Sequence, residues 1–272
     1  MTGIVRINGQ VSAGSIPVTD SSVLRGDGCY ETLRSYGGRP FALDRHLDRL
    51  QRSATKMELM LPERSDLEDW IRAASAEGGE CAVRILVTRG SALPDDPGEP
   101  KVIVFSHTWP LSKEPARFMM VTAPWHSAGH DWALAGAKYL SYAPNMSAAR
   151  AAQAAGFDDA VLNTVDGLVL EGTTFSVAWV VDGVLETPTL ELGILDSITR
   201  ALVLEMADDV GIPISVGRFP VSRLDRASEV MAISTIREVQ PIIQLGDTEY
   251  QAGEITRSLA RAFDQLVGST GS

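Results

Sequence analysis

Lysine is scarce in this chain: of 24 basic residues in 272, lysine supplies only Lys56, Lys101, Lys113 and Lys138. Cysteine is scarcer, with Cys29 and Cys81 alone and neither in a CxxC or metal-ligand spacing, so a disulfide framework and a thiolate zinc site are excluded. Both cysteines read as buried, reduced thiols. Basic charge is in deficit as well, with a net charge of -11. Non-specific nucleic-acid binding is therefore excluded, because it needs a basic face against the phosphates. No apolar run reaches the roughly 20 residues of a membrane-spanning helix, and MTGIVRINGQ has neither a signal-peptide core nor transit-peptide character. The expectation is a soluble cytoplasmic protein with neither nucleic acid nor membrane as a partner. What remains, 44% hydrophobic and 22% charged residues, is globular composition with enough chain for two modest domains.

Hydrophobic periodicity and turn signals divide the chain. MTGIVRINGQV reads as a strand turning at Asn8-Gly9, and GDGCYETLRSYGGRPFALD as a hairpin turning at Gly37-Gly38. Asp44 is expected to cap a helix whose apolar positions are Leu47, Leu50, Ala54 and Met57, and Ser65 with Glu68 to form a capping box on the next. ECAVRILVTRG and KVIVFSHTW are strands. The proline-rich stretch PLSKEPARF sets domain boundaries at 1–112 and 118–272, with 113–117 as linker. Beyond it come a strand, the loop HSAGHDWALAG, a helix ending at Gly156, and hairpins at Asp166-Gly167 and Asp182-Gly183. A helix from near Asp196 to Val210, further strands and the helix EITRSLARAFDQLV complete an α+β chain of two domains.

Lys138 is the lysine that needs explaining. It stands in AGAKYLSY among small and apolar residues, with no acidic residue within six positions. Such surroundings disfavour the ammonium and lower the pKa, and a desolvated lysine amine is the group that forms Schiff bases with carbonyl compounds. GILDSITR gathers Asp196, Ser197 and Thr199 at a helix start, which is either simple capping or an anion site made of backbone amides and hydroxyls. Glu171 ends a strand at a glycine turn; facing inward, it would keep a ring nitrogen protonated. Ser234 and Thr235 end another apolar strand, and Arg49 adds a helix-borne cation. His126 and His130, four apart in a glycine-containing loop, read as solvated rather than as metal ligands, so no metal is expected.

The order of these blocks resembles the fold-type IV pyridoxal-phosphate enzymes, the class IV aminotransferases. GDGCYETLRSYGG, HLDRLQRSA, VTRG, AKYLSY, GFDDAVL with LVLEG, GILDSITR and STIREVQP follow one another as in that family over nearly the whole chain. The resemblance implies a small N-terminal α/β domain, a larger C-terminal mixed β-barrel-like domain, and a homodimer. It implies pyridoxal 5'-phosphate held as an internal aldimine by Lys138, which is also the base that moves the proton. It pairs Glu171 with the pyridine nitrogen, gives the phosphate to Arg49, Ile198, Thr199 and Thr235, packs Leu195 on the ring, and sets Tyr142 near the phenolic oxygen. One departure is Ser176, where the family's usual residue is asparagine.

Tyr30, Thr32 and Arg34 alternate along one strand and so share a face, read as the substrate side. Within the resemblance, branched-chain enzymes usually carry glycine where Thr32 stands. D-amino-acid enzymes carry an Arg-x-His pair after VTRG, where this chain has SALPDDPGE, and lyases carry a glycine- and arginine-rich continuation there, also missing. AKYLSYAPNM is similar to the lysine segment of actinobacterial enzymes assigned to the lyase group. The expected activity is amino transfer from an amino acid or primary amine, (R)-selective amines included, to a 2-oxo acid, in ping-pong order. Aminodeoxychorismate lyase is the main alternative; branched-chain L-amino-acid and D-amino-acid aminotransferase and a cofactor-less binding protein are lesser ones. The loop 126–136 is expected to cover the substrate.

Overall fold

The computed structural model describes residues 3–93, 95, 98–109, 113–126 and 132–270. The chain divides into two compact units: Met1–Pro110 with Ala137–Tyr142 and Ser269–Ser272, and Leu111–Gly136 with Ala143–Gly268. The lysine segment Ala137–Tyr142 thus belongs to the first unit, although it follows the start of the second along the chain.

In the first unit, β1 (Val5–Ile7), β2 (Gln10–Ser12), β3 (Gly28–Tyr36), β4 (Arg39–Pro40), β5 (Cys81–Thr88) and β6 (Lys101–His107) form one sheet in the order β2-β1-β6-β5-β3-β4. Every pairing is antiparallel. The helices are α1 (Ser21–Arg25), α2 (Leu43–Lys56) and α3 (Arg64–Gly78). Gly37 and Gly38 both take positive φ, 56° and 80°, the backbone that a two-residue turn between twisted strands demands. Along β3 the side chains alternate, so Glu31, Leu33 and Ser35 turn to the face opposite Tyr30, Thr32 and Arg34. Helix α2 packs on β3 with a buried stripe of His46, Arg49, Leu50 and Ser53, the spacing that lines one face of a helix.

Two expected caps are corrected. Helix α2 begins at Leu43 after Ala42, whose φ is 51°, and no side chain caps it; Asp44 lies inside the first turn. Helix α3 begins at Arg64 after Glu63, again without a side-chain cap, and the Ser65–Glu68 box does not form. Each helix starts before the residue expected to cap it, so Asp44 and Ser65 take the second helical position instead of the N-cap. The Arg64 guanidinium reaches Asp44 at 2.8 Å, Asp48 at 2.7 Å and Glu68 at 3.2 Å.

The second unit carries β7 (Ala116–Thr122), β8 (Asp159–Asn163), β9 (Val169–Gly172), β10 (Ser176–Val181), β11 (Val184–Pro188), β12 (Ile214–Gly217), β13 (Glu229–Ser234), β14 (Glu238–Leu245) and β15 (Thr248–Glu249). Ala116 and Arg117, placed by the sequence in the linker, open β7. The order is β12-β11-β10-β13-β14-β7-β8-β9, with β15 on β14. Parallel pairs at β11/β12, β14/β7 and β7/β8 make the sheet mixed. The sheet curls until its ends meet: the Val169 N–H donates to Phe219 O at 2.9 Å and the Val221 N–H to Gly167 O at 2.8 Å, joining β9 to the segment after β12. Its interior is apolar, with Phe118, Val161, Val177, Trp179, Val230 and Ile242 buried together. The Trp179 indole N–H donates to Glu186 at 2.8 Å, and Arg223 grips the same carboxylate at 2.9 and 2.6 Å. Left unpaired, a buried donor of this kind costs about 1–3 kcal/mol. Outside the sheet lie α4 (Ala143–Ala154), α5 (Ile198–Asp209) and α6 (Glu254–Thr270). Ala148 and Ala152 of α4 pack on Ala160, Leu162 and Leu170. Among the described residues no helix is long and apolar enough to cross a membrane.

Candidate active site

In the first unit the lysine segment lies along the free edge of β3. The Tyr30 N–H donates to Lys138 O at 2.9 Å, the Leu140 N–H donates to Gly28 O at 2.8 Å, and Cys29 and Tyr139 form an antiparallel bridge. The glycines of GDG permit this approach. A Cβ on Gly28 would fall 2.7 Å from Leu140 Cδ1, and one on Gly26 would fall 2.5 Å from Ser141 Oγ. From the helix side, Ser53 Oγ accepts the Lys138 backbone N–H at 3.0 Å. The lysine is thereby held by its backbone from two elements, and the residue is 8% exposed. Its Nζ stands 4.4 Å from the Tyr30 ring centre and 5.7 Å from that of Tyr142, and the two rings meet edge to face at 5.6 Å. Among the described residues no carboxylate pairs with it.

The register places further groups on the face of Tyr30. Thr32 stands opposite Arg84 on β5, Arg84 opposite Phe105 on β6, and Ala82, the partner of Arg34, opposite His107. Arg34 is buried and donates from Nη1 to Trp109 O at 2.8 Å, while its Nε finds no partner among the described residues. The Arg84 guanidinium lies 6.0 Å from the Tyr30 ring and 5.8 Å from the Trp109 ring, and its Nε donates to His107 Nε2 at 3.3 Å. Burial, and then the Arg84 charge, push the His107 pKa down, which keeps its ring neutral and able to accept. One face therefore carries two guanidiniums, aromatic rings and the hydroxyl of Thr32, a surface suited to a small organic anion.

The opposite face of β3 holds Glu31, fully buried, in a fork from Arg49: Nε to Oε1 at 2.7 Å and Nη2 to Oε2 at 2.8 Å. His46 Nδ1–H donates to Oε2 at 2.9 Å. Burial alone would push the Glu31 carboxyl up; the Arg49 charge and hydrogen bonds, with those of His46, outweigh it and hold the carboxyl well below its ordinary range. For His46 burial dominates, and the Arg49 and Lys138 charges add to it, so its pKa falls despite Glu31.

In the second unit Glu171, on β9, accepts the Leu195 N–H with both oxygens at 3.3 Å. Two residues on, Ser197 rather than Asp196 caps α5, its Oγ accepting the Arg200 N–H at 3.2 Å. The first turn of a helix leaves its amides without internal acceptors, and this cap satisfies the third. The amides of Ile198 and Thr199 remain at the dipole's positive end, on residues 6% and 3% exposed. Arg200 is buried on neutral acceptors, Thr187 Oγ1 at 3.1 Å and Pro188 O at 2.8 Å; burial pushes its pKa down, opposed by the charges of Asp196 and Glu171. Thr235 sits in the turn between β13 and β14. That turn is fixed by the Arg237 N–H to Ser234 Oγ at 3.1 Å and by Arg237 to Asp159 at 2.8 Å and Gln240 at 2.7 Å. Ser176 Oγ is buried without a partner among the described residues.

Lys138, Arg49, Tyr142, Tyr30, Thr32 and Arg34 thus lie in the first unit, and Glu171, Leu195, Ile198, Thr199 and Thr235 in the second. The sequence reading missed Arg84, His107, Glu31, His46 and Ser53. Arg84 and Glu31 carried a signal, a charged side chain within a strand already identified. So did His46 and Ser53, polar residues on the apolar stripe of α2. His126 Nε2–H donates to Leu192 O at 2.7 Å, while His130 and the rest of 127–131, most of the presumed covering loop's first half, lie outside the described residues. Among the described residues no three His, Cys, Asp or Glu side chains gather as metal ligands.

The pattern of the family described as Amino-transferase class IV matches residues 28–245. The chain is 27% identical to an aminodeoxychorismate lyase of Bacillus subtilis, over 91% of this chain and 88% of that protein. It is 28% identical to a D-alanine aminotransferase of Staphylococcus epidermidis, over 97% and 98%. Among solved structures, a branched-chain aminotransferase of Thermoproteus uzoniensis with norvaline superposes with a TM-score of 0.88 at 27% identity, covering 98% of this chain and 95% of that one. A hypothetical aminotransferase of Mycobacterium tuberculosis in its PLP-bound form gives 0.90 at 25%, covering 98% and 99%. The match over most of the chain, in the fold and on the blocks that carry the lysine, carboxylate and helix start, makes this protein a member of the class IV aminotransferases, the enzymes that work with pyridoxal 5'-phosphate.

Proposed function

We propose that this enzyme moves an amino group from an amino acid or primary amine to a 2-oxo acid, with Lys138 as the reacting amine. The observation that carries this reading is the Lys138 side chain, buried over Tyr30 without a carboxylate partner among the described residues, on a sheet face that also bears Arg34 and Arg84. The residues fit a phosphorylated aldehyde. A buried arginine, Arg49, and the two buried amides of Ile198 and Thr199 suit its phosphate, Glu171 suits a ring nitrogen, and Ser176 Oγ is a further buried polar group without a partner among the described residues.

When bound, pyridoxal phosphate supplies an aldehyde that takes up the amino group and a ring that draws electrons from the substrate carbon. Lys138 Nζ would hold the cofactor, and the same amine is the group that would take a proton from the substrate carbon and return it. Tyr30 and Tyr142 keep that amine on a short path by flanking it. Glu171 would keep the ring nitrogen protonated, Tyr142 would serve the phenolic oxygen, Leu195 would pack on the ring, and Arg49, Ile198, Thr199 and Thr235 would hold the phosphate. Arg34 and Arg84 bind the carboxylate of the oxo acid, and Thr32 narrows the donor pocket. The loop 126–136 covers the substrate.

The experiment is a donor panel: L- and D-amino acids, (R)- and (S)-1-phenylethylamine and aminodeoxychorismate, each with and without a 2-oxo acid. Nitrogen transfer that requires the oxo acid is the expected result. Pyruvate released from aminodeoxychorismate alone would overturn it in favour of the lyase reaction, which the similarity to the Bacillus subtilis enzyme supports. The assembly we propose is a homodimer; light scattering should give twice the 29.2 kDa chain mass, and a monomer would refute it.

A further inference from the structure

Glu31 and His46, which have no role so far, form a buried ionic cluster with Arg49. Four hydrogen bonds converge on one carboxylate whose residue is 0% exposed: two from Arg49 at 2.7 and 2.8 Å, one from His46 at 2.9 Å and one from the Thr32 N–H at 3.2 Å, with His46 2% and Arg49 4% exposed. A buried charge cluster is expensive to assemble, and hydrophobic residues of like volume would stabilise the unit at least as well. The three residues are also spaced for a purpose. Glu31 is the β3 neighbour of Tyr30, whose ring flanks the Lys138 amine, and His46 and Arg49 lie on the same α2 stripe as Ser53, which holds the Lys138 backbone.

Resting on the function proposed above, we infer that Glu31, steadied by His46, is a positioning residue for Arg49: it fixes the plane and reach of the guanidinium that binds the cofactor phosphate. The fork takes the Nε and Nη2 edge of Arg49, and a planar guanidinium held on one edge cannot rotate about its last side-chain bonds. His46 donates to Oε2, the oxygen that also receives Nη2, and so restrains the carboxylate in turn. Without Glu31 the guanidinium would keep its charge but lose its orientation, and its phosphate bonds would have to be formed from a mobile side chain.

The test separates positioning from mere structural support by comparing pyridoxal phosphate with pyridoxal, which lacks the phosphate. Affinities of both for the full chain are read by quenching of tryptophan fluorescence, in wild type and in Glu31→Gln. The amide keeps size and most contacts but removes the charge that binds the fork. Glu31→Gln should weaken pyridoxal phosphate about tenfold and leave pyridoxal within about twofold. Should that variant fail to fold, His46→Gln, which disturbs only the third contact, should lower the phosphate-over-pyridoxal preference about threefold. A preference equal to wild type in the folded variant overturns the inference. Wild type that binds neither compound would overturn the cofactor reading itself, and the inference with it.

Discussion

Lys138→Ala should abolish covalently held cofactor and slow amino transfer by about 10,000-fold or more, because it removes both the nucleophile and the proton carrier. The loss should be chemical rather than structural. The Lys138 backbone N–H and C=O, not its side chain, make the bonds to Ser53 and Tyr30 that dock the segment on β3. Alanine keeps both bonds, so the thermal unfolding temperature should stay close to wild type. Wild-type protein treated with borohydride should carry the cofactor on the peptide containing Lys138, and the variant should carry none. A variant that keeps about a tenth of the activity would show that another group does the chemistry.

Glu171→Gln should lower the turnover number about 100-fold, the scale on which one preorganised electrostatic contact acts in a buried site. The amide oxygen can still accept the Leu195 N–H, so the bend before α5 should persist. What disappears is a negative charge, and with it the reason for a ring nitrogen to stay protonated. The affinity for pyridoxal phosphate should change little, because its phosphate is held elsewhere. Turnover within about threefold of wild type would remove Glu171 from the role. A parallel loss in cofactor affinity would point to damage at α5 instead.

The two substitutions act on groups whose importance the sequence showed unequally. Lys138 was conspicuous because a lysine among alanines, tyrosines and glycine has no local reason to be there. Glu171 was not; a carboxylate before a glycine turn is ordinary, and only its place in the order of blocks marked it. Glu31 escaped notice because a strand position shows which face a side chain takes but not what waits there. That Arg49 and His46 meet it depends on helix α2 packing on β3, a contact between residues 15 and 18 positions apart. Arg84 and His107 escaped for the same reason, since strand register is set by pairing across the sheet. The capping errors at Asp44 and Ser65 lie at the helix starts. Local rules favour a nearby hydroxyl or carboxylate as cap, but each helix begins one residue before it, after Ala42 and Glu63.

By itself, then, the sequence determined the elements and their turns, because periodicity and glycine placement are local properties of the chain. It also determined the family, because the order of seven short blocks is a property of the chain alone. The tertiary structure alone decided which side of the boundary the lysine segment joins. Ala137–Tyr142 pairs with β3 through backbone bonds that need the close approach left open by Gly26 and Gly28, and such pairing depends on space rather than on neighbours in sequence. It decided likewise that the amine of Lys138 faces two tyrosine rings and, among the described residues, no carboxylate. Burial and charge pairing arise only when distant segments exclude water from one another, and that is the part of the chemistry that a linear pattern does not carry.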